Sequence, residues 1–283
     1  SSLYTTIKDN NFNHTSIFIF AGEKWIYDQP IYLEHWNTHI VENNTIDGKL
    51  ICYYKNTSDV VVPKDIGEVI LANCSNFTIQ NLDINNVGVG IQIGFSRDIK
   101  IINNNISNNK YAGISLAFSS RTLIQNNNLS YMTTGIHLYH LTEVNTITGN
   151  NIIDNDEGIY MFSSNNTNIS NNNIKRNTQG YGLGVQGFSN NNSIIMNNFS
   201  ENSEYTMWLG SNTSHNNILS NNISNNTVGI RLSGSKNNLI AFNEIYNNQI
   251  FPIYLSKHSN NNFINMNKIT DNNHYGIGLD YSS

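Results

Sequence analysis

A four-residue unit recurs along this 283-residue chain at a nearly fixed interval, and that interval limits the fold more than any other feature. The units are "GIQI" (90–93), "GISL" (113–116), "GIHL" (135–138), "GIYM" (158–161), "GLGV" (182–185), "TMWL" (206–209), "GIRL" (229–232), "PIYL" (252–255) and "GIGL" (276–279). Their starts lie 23, 22, 23, 24, 24, 23, 23 and 24 residues apart, and "EVIL" (68–71) falls 22 residues before the first. Each unit sets two apolar residues either side of one other, the period of a strand with one buried face. A second apolar stretch follows, as in "IKII" (99–102), and then a lone apolar residue such as Ile106. No window carries the i, i+3, i+4 spacing of a long helix.

A repeat of this length with up to three short strands is one rung of a parallel β-helix, each rung hydrogen-bonding to its neighbours above and below. The sequence therefore predicts an all-β, single-stranded parallel solenoid of about 11–12 rungs, right-handed by the usual crossover preference. Residues 30–283 form the solenoid in this reading, with less regular early turns near "PIYL" (30–33) and "KLIC" (49–52). Residues 1–29 break the repeat, contain "SIFIF" (16–20) and Trp25, and are expected to form an N-terminal cap. The chain stops at "GIGLDYSS", partway through a rung. An open rung predicts more of the same polypeptide beyond it, or end-to-end stacking on another subunit.

Asparagine supplies 56 residues, and charged residues only 12% against the usual ~25%. Such a composition suits a disordered tract, but 38% of residues are hydrophobic and they recur in phase. The asparagines have a place in the rung. Two residues before the lone apolar position stand Asn104, Asn127, Asn150, Asn172, Asn197, Asn221, Asn243 and Asn267, in eight successive turns. Stacked amides pair with one another and with turn backbone, so these residues predict an internal Asn ladder. Leu82 occupies the position one turn earlier, and Asn44 is a separate earlier instance. Asn also tolerates the left-handed backbone of sharp bends, and the glycine of each "G-I-x-L" is read as serving a bend too.

A net charge of −5 without a basic stripe argues against nucleic acid. No apolar run approaches the ~18 residues of a membrane span. Cys52 and Cys74 are read as small buried side chains, a disulfide between them being the alternative in an oxidising compartment. Fourteen N-x-[ST] sequons, including Asn13, Asn56, Asn73, Asn128, Asn198 and Asn212, offer glycan acceptors in a secreted protein.

The middle residue of "G-I-x-L" points away from the core. This outward column, with its neighbour two residues on, displays His137, Tyr139, Tyr160, Phe162, Trp208, Arg231 and Tyr254 on one wall. Aromatic faces at ~5 Å spacing suit stacking on sugar rings, while Arg or His bonds hydroxyls or uronates. The competing reading is that aromatics simply favour strand surfaces. Carboxylates for acid–base work occur in two loops: "DNDEG" (154–158), with Asp154, Asp156 and Glu157, and a loop two rungs on with Glu201 and Glu204. Two rungs are about 10 Å, near the upper end of an inverting glycosidase's carboxylate separation. Asp156, Glu157, Glu201 and Glu204 are thus the catalytic candidates, against the commoner reading of solvated acidic turns. The first loop is also the one place for calcium, although three carboxylates fall short of its usual 6–8 oxygens. His215, His258 and His274 are read as lone surface histidines, and no metal site is expected.

The rung pattern, with "ENNTIDGKLICYY" (42–54), "VILANCSNFTIQN" (69–81) and the repeated "N-x-I-x-x-N-x-x-x-G-I-x-L", resembles the β-helix proteins of the NosD-like, carbohydrate-binding and sugar-hydrolase (CASH) superfamily. The likeness covers about residues 30–283 and implies the fold far more than an activity. It implies a secreted, cell-surface or periplasmic setting in archaea or bacteria, and relatives that include adhesins, polysaccharide lyases, hydrolases and epimerases. The paired aspartates and "GHG" of polygalacturonases are absent, as are the "D-P-H" of mannuronan epimerases and any Cys/His/Met cluster for the copper chemistry linked to NosD.

The expected function is a non-catalytic envelope rod that acts as spacer, adhesin or polysaccharide-binding module. The alternatives are a polysaccharide lyase or glycoside hydrolase, and a periplasmic NosD-like accessory protein. Two carboxylates, or one carboxylate with His137 or Arg231, sharing one groove with Trp208 would favour the enzyme.

Overall fold

The computed structural model describes residues 2–19 and 32–280. Its strands stack into a long sheet of thirteen strands and, following it around each turn, a second and a third sheet of nine strands each, while Thr6–Lys8 and Ile40–Glu42 form a separate parallel pair. One turn runs Ala112–Ala117, Leu123–Gln125 and Asn128–Ser130, and the next begins at Thr134. Nine complete three-sided turns lie between Ile66 and Thr270, fewer than the 11–12 rungs expected. The difference is at the N-terminal end. There Asn11–Phe12, Thr45–Ile46 and Lys49–Lys55 extend only the long sheet, and the last two form an antiparallel pair. The early rung expected at 30–33 falls partly outside the described residues, and the chain after it enters a short helix, Glu34–Asn37. Trp25 also lies outside them.

The core is columnar. Ile79, Ile101, Ile124, Ile147, Ile169, Ile194, Ile218 and Ile240 stack in register down the second sheet, every one fully buried. Ile84, Ile106, Leu129, Ile152, Ile174, Phe199, Ile223 and Ile245 do the same down the third. Each fully buried residue of this size contributes roughly 1.5–3 kcal/mol.

The corner between these two sheets carries the Asn ladder. From Asn104 to Asn267 each side-chain amide donates to the next turn's amide oxygen, at 2.8–3.0 Å throughout. That oxygen also accepts the backbone N–H of the asparagine before it. Leu82 sits at the ladder's head, its N–H donating to Asn104, and the buried Asn44 accepts from Asn10 in the same manner.

The left-handed backbone belongs to the residue before the ladder asparagine: Asn103, Asn126 and Asn171 have φ of 56°, 54° and 55°. The glycines of "G-I-x-L" are not bends. Gly90, Gly113, Gly135, Gly158 and Gly182 have ordinary φ; a Cβ on any of them would lie 2.4–2.8 Å from the next turn's carbonyl oxygen. They permit close stacking of one turn on another.

Two further ladders were missed. Asn155, Asn177, Asn202, Asn226, Asn248 and Asn272 form one, at 3.0–3.2 Å. Asn192, Asn216, Asn238 and Asn262 form the other, at 2.9–3.2 Å. They lie five residues after and five before the first ladder, as in Asn192, Asn197 and Asn202. That N-x4-N-x4-N spacing was available in the sequence.

Candidate functional site

The long sheet brings the predicted wall together. Ser115, His137, Tyr160, Gly184, Trp208, Arg231 and Tyr254 pair turn by turn in one outward column. Ala117, Tyr139, Phe162 and Gln186 form the next. Burial along these columns is uneven, and this corrects the expectation of a uniformly exposed wall. His137 and Tyr139 are only 8% and 7% exposed, whereas Tyr160, Phe162, Trp208, Arg231 and Tyr254 are half-buried. Tyr111, Tyr139 and Tyr160 surround the His137 ring, with centroids at 6.2, 4.7 and 5.4 Å. Burial pushes the His137 pKa down to about 4, with His140 adding in the same direction, so the ring is neutral at pH 7.

Nearer the N-terminus the wall is covered. The backbone of Ser16–Ile19 crosses it on side chains: Ile17 N–H donates to Glu68 (3.2 Å) and Ile19 N–H to Gln92 (3.1 Å). The Gln92 amide donates to the Ile17 carbonyl and to Glu68, both at 2.7 Å. Trp36 lies against Gly94, where a Cβ would fall 2.3 Å from its ring. Glu68 is fully buried, and burial pushes its pKa up to about 8 against the opposing hydrogen bonds.

Between Tyr111 and Trp208 an open groove of about 500 Å³ runs over five turns, lined also by Thr134, His137, Glu157, Tyr160, Tyr181 and Gln186. Tyr181 escaped the sequence reading. Its ring lies 4.7 Å from Trp208 and folds over Gly184, where a Cβ would meet it at 2.9 Å. The available signal was that outward glycine, since a missing side chain on a wall makes room for a ring. Burial, then the charges of Glu157 and Glu204, push the Tyr181 pKa up to about 12.

The catalytic candidates separate. Glu157 begins the strand Glu157–Asn165 and enters the groove, accepting from the Thr134 hydroxyl at 3.4 Å. Gly180 leaves space for its carboxyl, since a Cβ there would lie 2.8 Å from Oε1. Burial pushes the Glu157 pKa up and Asp156 adds to this, opposing the Thr134 hydrogen bond. Asp156 and Glu201 instead line a separate corner cavity of about 440 Å³. There Arg176 binds both oxygens of Asp154 (2.6 and 2.8 Å) and Lys175 pairs with Glu201 at 2.7 Å. Glu204 is exposed and reaches the groove only through its charge on Tyr181.

With Asp154 held by Arg176, the loop proposed for calcium lacks a free carboxylate set. Among the described residues no group of three His, Cys, Asp or Glu is placed to hold a metal ion. Arg231 also stands outside the groove, its guanidinium 4.6 Å from the Tyr205 ring centroid and donating to the Tyr205 hydroxyl. Tyr254 donates to Asp280 at 2.9 Å. Cys52 and Cys74 are free thiols, both raised in pKa by burial. His215, His258 and His274 are exposed, as expected.

Comparison with known proteins agrees with this architecture. The family described as "Right handed beta helix region" matches residues 67–223 and 180–283. The structure is similar to that of the periplasmic alginate epimerase AlgG, with TM-score 0.64 and 13% identity over 81% of this chain and 68% of that one. It is also similar to DFA-IIIase from Arthrobacter chlorophenolicus A6 in complex with GF2, with TM-score 0.58 and 13% identity over 84% and 68%. At such identities the likeness concerns the fold. No curated protein matches the sequence. No helix among the described residues is long and apolar enough to cross a membrane.

Proposed function

Since the chain belongs to the right-handed β-helix family, whose turns are scaffold, we propose that its function lies on the long-sheet wall, as a glycan-binding module of an extracellular or cell-envelope rod. The observation that carries this reading is the groove, where the rings of Tyr160, Tyr181 and Trp208 flank the half-buried Glu157 carboxyl. Rings offer flat apolar faces to sugar C–H groups, and a carboxyl accepts from hydroxyls. Neighbours of the same fold include an alginate epimerase and an enzyme solved with GF2, which fits a glycan ligand.

A glycan array with the whole chain tests the proposal. Binding that is lost in both Trp208→Ala and Tyr181→Ala supports it, whereas no binding to any glycan leaves a purely structural rod.

One observation favours a second reading, a glycan-cleaving enzyme. Glu157 shares its groove with His137 and Trp208, and its raised pKa suits a general acid. Under that reading the best-bound polysaccharide is turned over, and Glu157→Gln abolishes turnover while retaining binding. Nothing in the geometry favours the NosD-like accessory role.

A further inference from the structure

We propose that the groove selects an uncharged glycan and turns away polyuronates; this rests on the glycan reading and adds a charge class to it. Among the described residues, no lysine or arginine lines the groove. The one carboxylate of the described lining, Glu157, is half-buried beside Thr134. His137, the one potential cation of that lining, is enclosed by three tyrosine rings and only 8% exposed.

Of the described cations near the groove, Lys110 precedes Tyr111, is exposed and is not part of the lining, and the others are held by neighbours. Arg176 and Lys175 are paired with Asp154 and Glu201 at the adjacent corner. Arg231, one turn past Trp208, lies over the Tyr205 ring with a second face toward Tyr254. A sugar carboxylate entering the groove would therefore meet the Glu157 carboxyl in partly desolvated surroundings, with no guanidinium or ammonium among the described lining residues to pair with. Like charges so placed are strongly selected against. A chain of neutral hydroxyls fits instead. Glu157 and the Gln186 side-chain oxygen accept from hydroxyls, the Gln186 NH2 donates, and the Thr134 hydroxyl donates or accepts. The aromatic faces stack on the ring carbons.

The test is titration calorimetry at pH 7 on the whole chain, using gluco- and fructo-oligosaccharides, an oligogalacturonate of equal length and a chitosan oligosaccharide. The best neutral ligand is expected to bind about tenfold or more tighter than the oligogalacturonate. Glu157→Gln, checked for folding by circular dichroism, is expected to narrow that ratio to about threefold or less. In the unsubstituted protein, raising the ionic strength from roughly 0.02 to 0.5 M narrows the same ratio, independently of any substitution.

Oligogalacturonate binding as tightly as the neutral chain overturns the proposal, as does a preference for the cationic chitosan chain or a ratio that neither Glu157→Gln nor salt alters. Those results leave glycan binding itself intact. Failure of every oligosaccharide to bind overturns glycan binding and the charge preference together.

Discussion

Two stretches of one sheet share a register and a scaffold but differ in what covers them. Between Ile66 and Ala117 the outward positions are closed: Glu68, Gln92 and Ser115 are 0%, 1% and 4% exposed, and Ser16–Ile19 and Trp36 lie across this part of the wall. Between Glu157 and Tyr254 the outward rings are half-buried, and those as far as Trp208 line an open groove. The closed stretch uses polar side chains to hydrogen-bond a crossing backbone, and the open one displays rings without a covering segment among the described residues. A repetitive solenoid thus acquires a groove by the choice of outward side chains, with the turns beneath unchanged.

The largest effect is expected from the scaffold common to both stretches. Asn197→Leu leaves the Asn172 N–H without its acceptor, breaks the ladder bonds of the Asn172 and Asn197 amides, and takes the Asn197 amide away from the Ile169 carbonyl. Buried unpaired groups cost about 1–3 kcal/mol each, with partial relaxation, so a loss of ~3–5 kcal/mol is expected in urea unfolding. A midpoint that hardly moves would mean the ladder is ornamental.

The closed stretch should show itself through pH. Burial raises the folded-state pKa of Glu68 to about 8, above that of the unfolded chain. Its contribution is therefore fully present below about pH 4.3 and lost as pH rises through about 8, by on the order of 5 kcal/mol. Glu68→Gln is expected to flatten that limb of the stability–pH curve. An unchanged slope would show that Glu68 does not titrate under the crossing segment.

In the open stretch, Trp208→Ala is expected to weaken the best-bound glycan by about 10- to 100-fold in calorimetry, with little change in Tm. The smallest effect should come from an outward asparagine. Asn105→Ala, exposed on the third sheet, is expected to shift stability by less than about 0.5 kcal/mol. A loss comparable to that of Asn197→Leu would erase the distinction between inward and outward amides.

The turn period, the outward columns and the first Asn ladder were legible in the sequence because each depends on local alternation repeated at a fixed interval. The other two ladders carried the same kind of signal at a spacing of five residues, as at Asn216, Asn221 and Asn226. The glycines of "G-I-x-L" misled because close approach between turns and positive φ select the same residue; only backbone geometry separates them. Exposure along the wall was not legible. Burial of Gln92 depends on Ile17 and Ile19, more than 70 residues away in sequence, and burial of His137 on rings from adjoining turns. Likewise, Glu157 and Asp156 are adjacent in the chain but face different cavities, because a strand starting at Glu157 turns successive side chains to opposite sides.

The chain has three tryptophans, two of them in these contrasted stretches: Trp36, 1% exposed in the closed one, and Trp208 in the groove. Tryptophan emission during titration with the best-bound neutral oligosaccharide therefore tests directly whether the open stretch is the binding site. A saturable change that survives Trp36→Phe and disappears in Trp208→Phe is the predicted result. A change that persists in Trp208→Phe and is lost in Trp36→Phe would place the ligand on the closed stretch and contradict the account.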